Sequence, residues 1–383
     1  MVKDFFAAKR EWSKYKDMIL EYYLTPYLPK VCSLGKPVVV VDCFAGAGRF
    51  DDGTDGSPRI IAKAIEKLAT KGKPVKALLV EEKKTYFRQL EDNVREFGSI
   101  CEPIHCSFEE SVAEIGRFAL THTIFLYIDP YGLKPLKFSL LSSIYKHLKS
   151  GTSVEVLMNF NSSSLVRNGR AALGLTQKDI PEGEWFFDSE EETKRTMSPE
   201  EIDDIAGGEY WRDIVFSDMS FPEMEESCSH KYMAKMSRYF QGVRNYPIKE
   251  KYIHKNFKYR LIFGSRHPDA MILMNDAVCK ARDRFLKKER VEGWLFDLRQ
   301  EDEKHDPVRL EDTIRSVLDK VDRISRRDLI VNTLELLFGE YFEKECKSAI
   351  YTLREKGLLY SASGKARFND DELLSPRPFQ GGK

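Results

Sequence analysis

An unbroken β-branched run, Val38-Val-Val-Val41, leads directly into Asp42-Cys-Phe-Ala-Gly-Ala-Gly48. Four consecutive branched side chains cannot alternate between core and water. The run therefore predicts a strand covered on both faces, as in a parallel sheet. Gly46 and Gly48 predict a sharp turn at the carboxyl end of that strand, because glycine accepts left-handed backbone and lets the main chain come close to a ligand. Ligands of open α/β sheets bind at that edge.

The first 160 residues continue in the same style. Strands are predicted at 37–41, 76–80, 102–106, 123–128 and 153–160. Between them lie a helix from Ser57-Pro58 and helices over 85–97, 108–118 and 136–148. Ser57 reads as an N-cap with Pro58 at the first helical position. A preceding helix over 5–28 carries Phe5, Trp12, Tyr15, Met18, Ile19, Tyr22 and Tyr23 on one face and is expected to stop at Pro26 and Pro29. Such alternation predicts an α/β fold with a Rossmann-like doubly wound sheet.

The regularity breaks over 162–225, which is polar and in part acidic (Asp188–Glu192). This stretch reads as an insertion or cover reaching about residue 245. An amphipathic segment at 231–241, a hairpin from 243–252 and 259–265, and a helix over 270–288 complete a first domain of 1–300. The charged segment 301–308 reads as a linker. Helices at 310–321, 324–337 and 343–356, then strands at 358–361 and 366–368, predict a small winged-helix-like domain over 306–383. Residues 375–383 read as a disordered tail.

Charge and cysteine content narrow the functional classes. The 383 residues hold 61 Lys+Arg and 61 Asp+Glu, a net charge of zero. That balance argues against a protein that coats nucleic acid non-specifically and leaves a local basic surface open. No run of eighteen apolar residues exists and residues 1–16 lack an apolar signal core, so no membrane association and a cytoplasmic location are expected. The seven cysteines include no C-x-x-C pair and read as reduced thiols. Cys101 and Cys106 read as buried small side chains, and no metal site is expected.

The glycine loop must choose between cofactors. A dinucleotide calls for a third glycine where Asp51 stands, with Asp52 next, and two carboxylates would repel a pyrophosphate. S-adenosylmethionine carries an ammonium, a carboxylate and a sulfonium but no phosphate. Asp42 is placed to hold the ammonium, directly or through water, and Phe44, Ala45, Gly46 and Gly48 to line the methionine part. The pattern resembles motif I of class I methyltransferases. Glu81, or its neighbour Glu82 according to strand phase, sits where ribose hydroxyls would be bound. Its distance from Asp42 is lengthened by a polar loop, Arg49–Gly56. Ser107 either contacts adenine or caps the following helix with Glu110.

At the same edge, Asp129-Pro-Tyr-Gly132 ends the fourth strand. It resembles the Asp/Asn-Pro-Pro-aromatic loop of amino-methyltransferases, and more nearly the Asp-Pro-Phe-Gly loop of tRNA guanine-N2 methyltransferases. That resemblance implies that Asp129 and the Pro130 carbonyl accept hydrogen bonds from an exocyclic amine, with Tyr131 stacked on the base. Phe50 could add a further stacking surface. Asn159, ending the fifth strand, either contacts substrate or caps a turn.

Together with Tyr15–Leu24, Gly56-Ser-Pro58, Val156–Asn161 and Tyr259–Pro268, these segments resemble the three-Cys-motif partner protein family over most of residues 1–290. The resemblance implies a class I methyltransferase-like fold using S-adenosyl-L-methionine, with a C-terminal winged helix. It also implies a partner bearing three clustered cysteines and resembling radical-SAM proteins, and a nucleic-acid context, DNA or RNA, in modification or repair. Arg266, His267 and Pro268 match a late motif without an assigned role. Three readings stand: a methyltransferase acting on a base amine, a catalytically silent SAM- or nucleic-acid-binding subunit, and, opposed by Asp51 and Asp52, a dinucleotide oxidoreductase. Arg323, Arg326 and Arg327 are either phosphate contacts or, with Asp319, Asp322 and Asp328 among them, a solvated helix face, and the second is favoured.

Overall fold

The computed structural model describes residues 9–146, 153–175, 197–249, 259–291 and 306–379. The chain divides into two compact units, 1–266 and 267–383. The first begins with α1 (Glu11–Cys32), β1 (Val38–Asp42), α2 (Ser57–Ala69), β2 (Val75–Glu81), α3 (Lys84–Val94) and β3 (Cys101–His105). It continues with α4 (Phe108–Ala119), β4 (Thr123–Ile128), α5 (Phe138–Lys146) and β5 (Val154–Phe160). After these come α6 (Ser162–Ala172), α7 (Pro199–Ala206), α8 (Tyr210–Val215), α9 (Phe221–Met236), β6 (Gly242–Ile248) and β7 (Tyr259–Ser265).

The sheet order is β3-β2-β1-β4-β5-β7-β6. The first five strands are parallel, and β7 and β6 close the edge antiparallel. This is the expected Rossmann-like doubly wound sheet. Every residue of β1 is buried, as its apolar run requires. Strand order reverses between β1 and β4, so the crevice of an open α/β sheet opens there.

Several local expectations need correction. Helix α1 runs through Pro26 and Pro29 to Cys32. Each proline removes a donor from the last turns, yet Tyr23, Leu24, Tyr27, Leu28 and Val31 are buried, and Tyr23 stacks on Phe125 at 5.4 Å. Burial of that face outweighs the lost bonds. Gly56, not Ser57, caps α2. The start of the first expected helix at residues 5–8, and the end of the fifth at 147–148, lie outside the described residues.

The stretch after β5 is more than a polar cover. Helices α6 to α9 form a packed layer in which Trp211, Cys228, Tyr232 and Met236 are fully buried. The indole approaches α6 so closely that a Cβ at Gly169 would lie 2.6 Å from it. The acidic run Asp188–Glu192 and residues 250–252 of the expected hairpin lie outside the described residues. Helix α9 starts ten residues before the expected 231, with Met224, Cys228, Tyr232 and Met236 repeating every four residues along its buried side.

The second unit holds α10 (Pro268–Val291), α11 (Pro307–Leu318), β8 (Ile324–Ser325), α12 (Arg326–Leu336), α13 (Glu343–Glu355), β9 (Tyr360–Ser361) and β10 (Leu373–Ser375). The division at 266/267 precedes the expected linker, of which 301–305 lie outside the described residues. Helix α10 belongs with this unit for a visible reason. Asn275 bonds the Tyr341 carbonyl and the Gly339 N–H, both at 2.8 Å, and Arg282 donates to the Gly339 and Glu340 carbonyls at 2.7 Å. The small sheet has the order β8-β10-β9. The strand expected at 366–368 is absent; its place is taken by β10, whose Ser375 pairs with Tyr360 rather than beginning a loose tail. Strands of two or three residues are too short to show alternation in sequence.

Candidate cofactor and acceptor site at the strand switch

Because β2, β1, β4 and β5 are parallel, Glu81, Asp42, Asp129 and Asn159 come to one edge of the sheet. Asp42 and Asp129 flank the point where strand order reverses. The glycine loop is tied to both neighbouring strands: the Cys43 N–H bonds the Tyr127 carbonyl at 2.9 Å and the Ala45 N–H bonds the Val80 carbonyl at 2.8 Å. Gly46 (φ 61°) and Gly48 (φ 81°) take the left-handed backbone. A Cβ at Gly48 would also meet Leu90 at 3.1 Å.

The lengthened loop 49–56 folds back on itself. The Phe50 N–H bonds the Thr54 carbonyl at 2.9 Å, Arg49 bridges to Asp55, and Asp55 pairs with Arg59 at 2.6 Å and with Lys63. Asp52 accepts the Thr54 N–H at 2.9 Å. Phe50 lies under the Lys9 ammonium, 5.4 Å from the ring centroid.

Asp42 is fully buried. Its Oδ1 accepts the Phe44 N–H at 3.3 Å, while Oδ2 has no hydrogen-bond partner among the described residues. Burial pushes its carboxyl up to about 7; hydrogen bonds from Ser57 and Phe44 oppose the shift, and the charges of Asp129 and Asp17 add to it. A buried carboxylate oxygen without a donor is costly. An α-ammonium group is a donor of the right charge, so the residues present fit S-adenosylmethionine.

Glu81, not Glu82, faces inward. Its Oε2 accepts the Gly46 N–H at 2.8 Å and Oε1 the Lys83 N–H at 2.7 Å, leaving one lone-pair direction on each oxygen. Burial raises its pKa. Ala45 is buried beside it, and Phe44 is half-buried with its ring 5.3 Å from that of Phe108. Ser107 adopts the capping alternative: Glu110 takes its N–H at 2.8 Å and its hydroxyl at 2.9 Å, and the hydroxyl accepts the Glu110 N–H.

The Asp129 carboxylate sits just beyond β4. Its Oδ1 accepts from Asn159 Nδ2 at 3.0 Å, and its Oδ2 is ion-paired with Lys16 of α1. Asn159 therefore reaches the site and does not merely cap a turn. Its own Oδ1 is buried without a partner among the described residues, as is the Tyr127 hydroxyl. Pro130 is half-buried, Gly132 turns the chain at φ 87°, and Tyr131 projects with 48% of its surface exposed.

The sequence reading missed the charged face of α1. Lys16 and Asp17 are buried, and Asp17 is paired with the equally buried Lys9. Burial raises the Asp17 carboxyl in spite of both lysines. The Lys9 N–H also reaches Asp52 of the folded loop at 3.3 Å. No helical spacing signals these residues, because Lys9 lies before α1 and meets Asp17 only through the fold.

In the second unit two of the three arginines are committed to ion pairs, and the third, Arg323, is exposed. Arg326 is buried and paired with Asp370, Arg327 is paired with Asp269, and Arg323 lies over the Phe379 ring at 5.2 Å. They form neither a phosphate-binding row nor a simple solvated face. Arg266 and His267 are exposed. Burial raises the Cys101 thiol to about 12, and no group of three metal-binding side chains occurs among the described residues. No helix among the described residues is long and apolar enough to cross a membrane.

The fold and this edge define the class: a Rossmann-like α/β protein with a crevice at its strand switch. No protein-family model and no curated protein matches the chain. Among solved structures, it is similar to a Legionella pneumophila protein at 10% identity, covering 74% of this chain and 92% of that one with a TM-score of 0.43. A protein of Escherichia coli assigned as a methyltransferase is 17% identical over 38% of this chain and 70% of that one, TM-score 0.24. A Staphylococcus aureus protein assigned as a caffeoyl-CoA O-methyltransferase is 8% identical over 63% and 82%, TM-score 0.30. Similarities this distant carry no weight for activity.

Proposed function

We propose that this protein is an S-adenosylmethionine-dependent methyltransferase whose acceptor is an exocyclic amine of a nucleic-acid base. The observation that carries the reading is the buried, partnerless Oδ2 of Asp42 on one side of the strand switch, with Asp129 on the other. Bound S-adenosylmethionine supplies an electrophilic methyl group on a sulfonium. Asp42 holds the ammonium. Phe44, Ala45, Gly46 and Gly48 surround the methionine chain, Glu81 offers its remaining lone pairs to the ribose, and the Ser107 turn borders the adenine. Asp129 and the Pro130 carbonyl accept hydrogen bonds from the acceptor amine and so direct its lone pair at the methyl. Tyr131, exposed at the mouth, stacks on the base. The methylated nitrogen then releases a proton to water.

Helices α11 to α13 of the C-terminal unit, with its small antiparallel sheet, serve in this reading as the winged-helix module. In this reading the protein is cytoplasmic, and a protein with three clustered cysteines is its proposed partner. One observation favours the alternative of a catalytically silent subunit: both Asp129 oxygens are already engaged by Lys16 and Asn159. The test uses methyl-tritiated cofactor with single-stranded DNA and unmodified tRNA. Wild type should label one of them, and Asp129→Ala should not, at unchanged cofactor affinity. Transfer by Asp129→Ala at the wild-type rate contradicts the site.

A further inference from the structure

The charges Lys9, Asp17, Lys16 and Asp129, the first three buried and the last half-buried, alternate in sign and run from the folded loop beside the glycine turn to the acceptor loop. Lys16 is the member nearest the chemistry. It is 6% exposed, is paired with Asp129, and lies 5.9 Å from the centre of the Tyr259 ring. Asn159 fixes the other Asp129 oxygen at 3.0 Å. A buried lysine ammonium without a counter-ion would be prohibitively costly, and Asp129 supplies that counter-ion. Together they make a subsite that is polar, oriented and without net charge.

We propose that Lys16 is a positioning residue that neutralises and orients Asp129, so that the acceptor subsite admits an uncharged amine and excludes an alkylammonium. This rests on the methyltransferase reading and sharpens its substrate class. The cofactor brings a positive sulfonium to within a few ångströms of the acceptor nitrogen. An acceptor that entered protonated would add a second cation there and would have no lone pair to give. Aromatic exocyclic amines are neutral at pH 7, whereas alkylamines are not. With the ion pair in place, Asp129 still accepts a hydrogen bond from an N–H, yet offers no net charge to attract an ammonium. Asp17, held by Lys9, keeps the Lys16 side chain from leaving toward solvent.

S-adenosylmethionine and S-adenosylhomocysteine differ by a methyl group and one positive charge, so the ratio of their affinities reports the charge at the subsite. Damage to the shared cradle cancels in that ratio. Calorimetric titration should find that Lys16→Met, which leaves Asp129 unneutralised, shifts the ratio toward the sulfonium ligand by about tenfold. Lys16→Arg should restore the wild-type ratio. In the S-adenosylhomocysteine-loaded protein, millimolar putrescine should bind Lys16→Met and not wild type. An unchanged ratio in Lys16→Met, or putrescine binding to wild type, overturns the inference while the cofactor assignment stands. Failure of wild type to bind either adenosyl ligand overturns both.

Discussion

The N-terminal unit buries two ionic clusters, and they are finished to different degrees. In one, Arg260 meets Glu225 through two bonds of 2.8 Å, Asn245 takes a third guanidinium hydrogen at 3.0 Å, and Ser162 donates to the carboxylate. In the other, at the strand switch, Asp42 Oδ2, Asn159 Oδ1 and the Tyr127 hydroxyl have no partner among the described residues. Both lie in protein interior, where an unsatisfied polar atom is costly. The first joins α9 to β7, and none of its buried side-chain atoms lacks a partner among the described residues. The second retains acceptors at the one place where an open sheet parts to admit a ligand. We read the closed network as scaffold and the open one at the switch point as the candidate site.

That contrast can be broken most strongly by Glu225→Ala. It strands the Arg260 charge and should cost about 3–5 kcal/mol, read as a lower denaturation midpoint with cofactor affinity retained in the folded fraction. Next in size, Gly48→Ala forces a side chain into left-handed backbone and against Leu90; a loss of about 1–3 kcal/mol is expected. Asp42→Asn should act in the opposite sense. It removes a buried charge and should stabilise the protein by about 1 kcal/mol at pH 8, while cofactor affinity falls at least about tenfold through loss of the ammonium's counter-charge.

The same residue sets a pH dependence. Asp42 titrates near 3.8 in an unfolded chain and at about 7 when buried. Between those values the folded protein keeps a proton that the unfolded chain has lost. Stability therefore falls as pH rises through that window, and the loss is complete above about 7. Asp42→Asn should flatten this part of the stability profile; Glu155, buried and also raised to about 7, leaves a residual slope that Glu155→Gln reduces, with the raised carboxyls of Asp17 and Glu81 contributing the rest. Cofactor affinity should run the other way, rising with pH until Asp42 is ionised. A wild-type profile unaltered by Asp42→Asn would show that this carboxyl is not the titrating group.

Much of this was legible because the parallel strands carry strong local signals. Val38–Val41 could hardly be anything but a doubly covered strand, and a polar residue at the end of each such strand marks the ligand edge. Asp42, Glu81, Asp129 and Asn159 were placed at that edge in this way, and Gly46 and Gly48 by the turn that follows β1. Lys16 and Asp17 were not, because a charge on an amphipathic helix is normally a solvated residue, and only the long-range encounter with Asp129 buries it. Ser57 looked like a cap and instead serves Asp42. Helices α6 to α9 were obscured because Trp211 and the spaced apolar residues of α9 sit among many polar ones. Pro26 and Pro29 failed as stops since tertiary burial of α1 exceeds their local cost.

The central claim is that Asp42 at the strand switch receives the ammonium of S-adenosylmethionine. Its most direct measurement is calorimetric titration of wild type and Asp42→Ala with that cofactor at pH 8. The account predicts wild-type binding with a dissociation constant on the order of micromolar, and its loss in the variant, with the variant's fold intact by circular dichroism. Absence of binding to wild type, or binding of equal strength to both proteins, would contradict it.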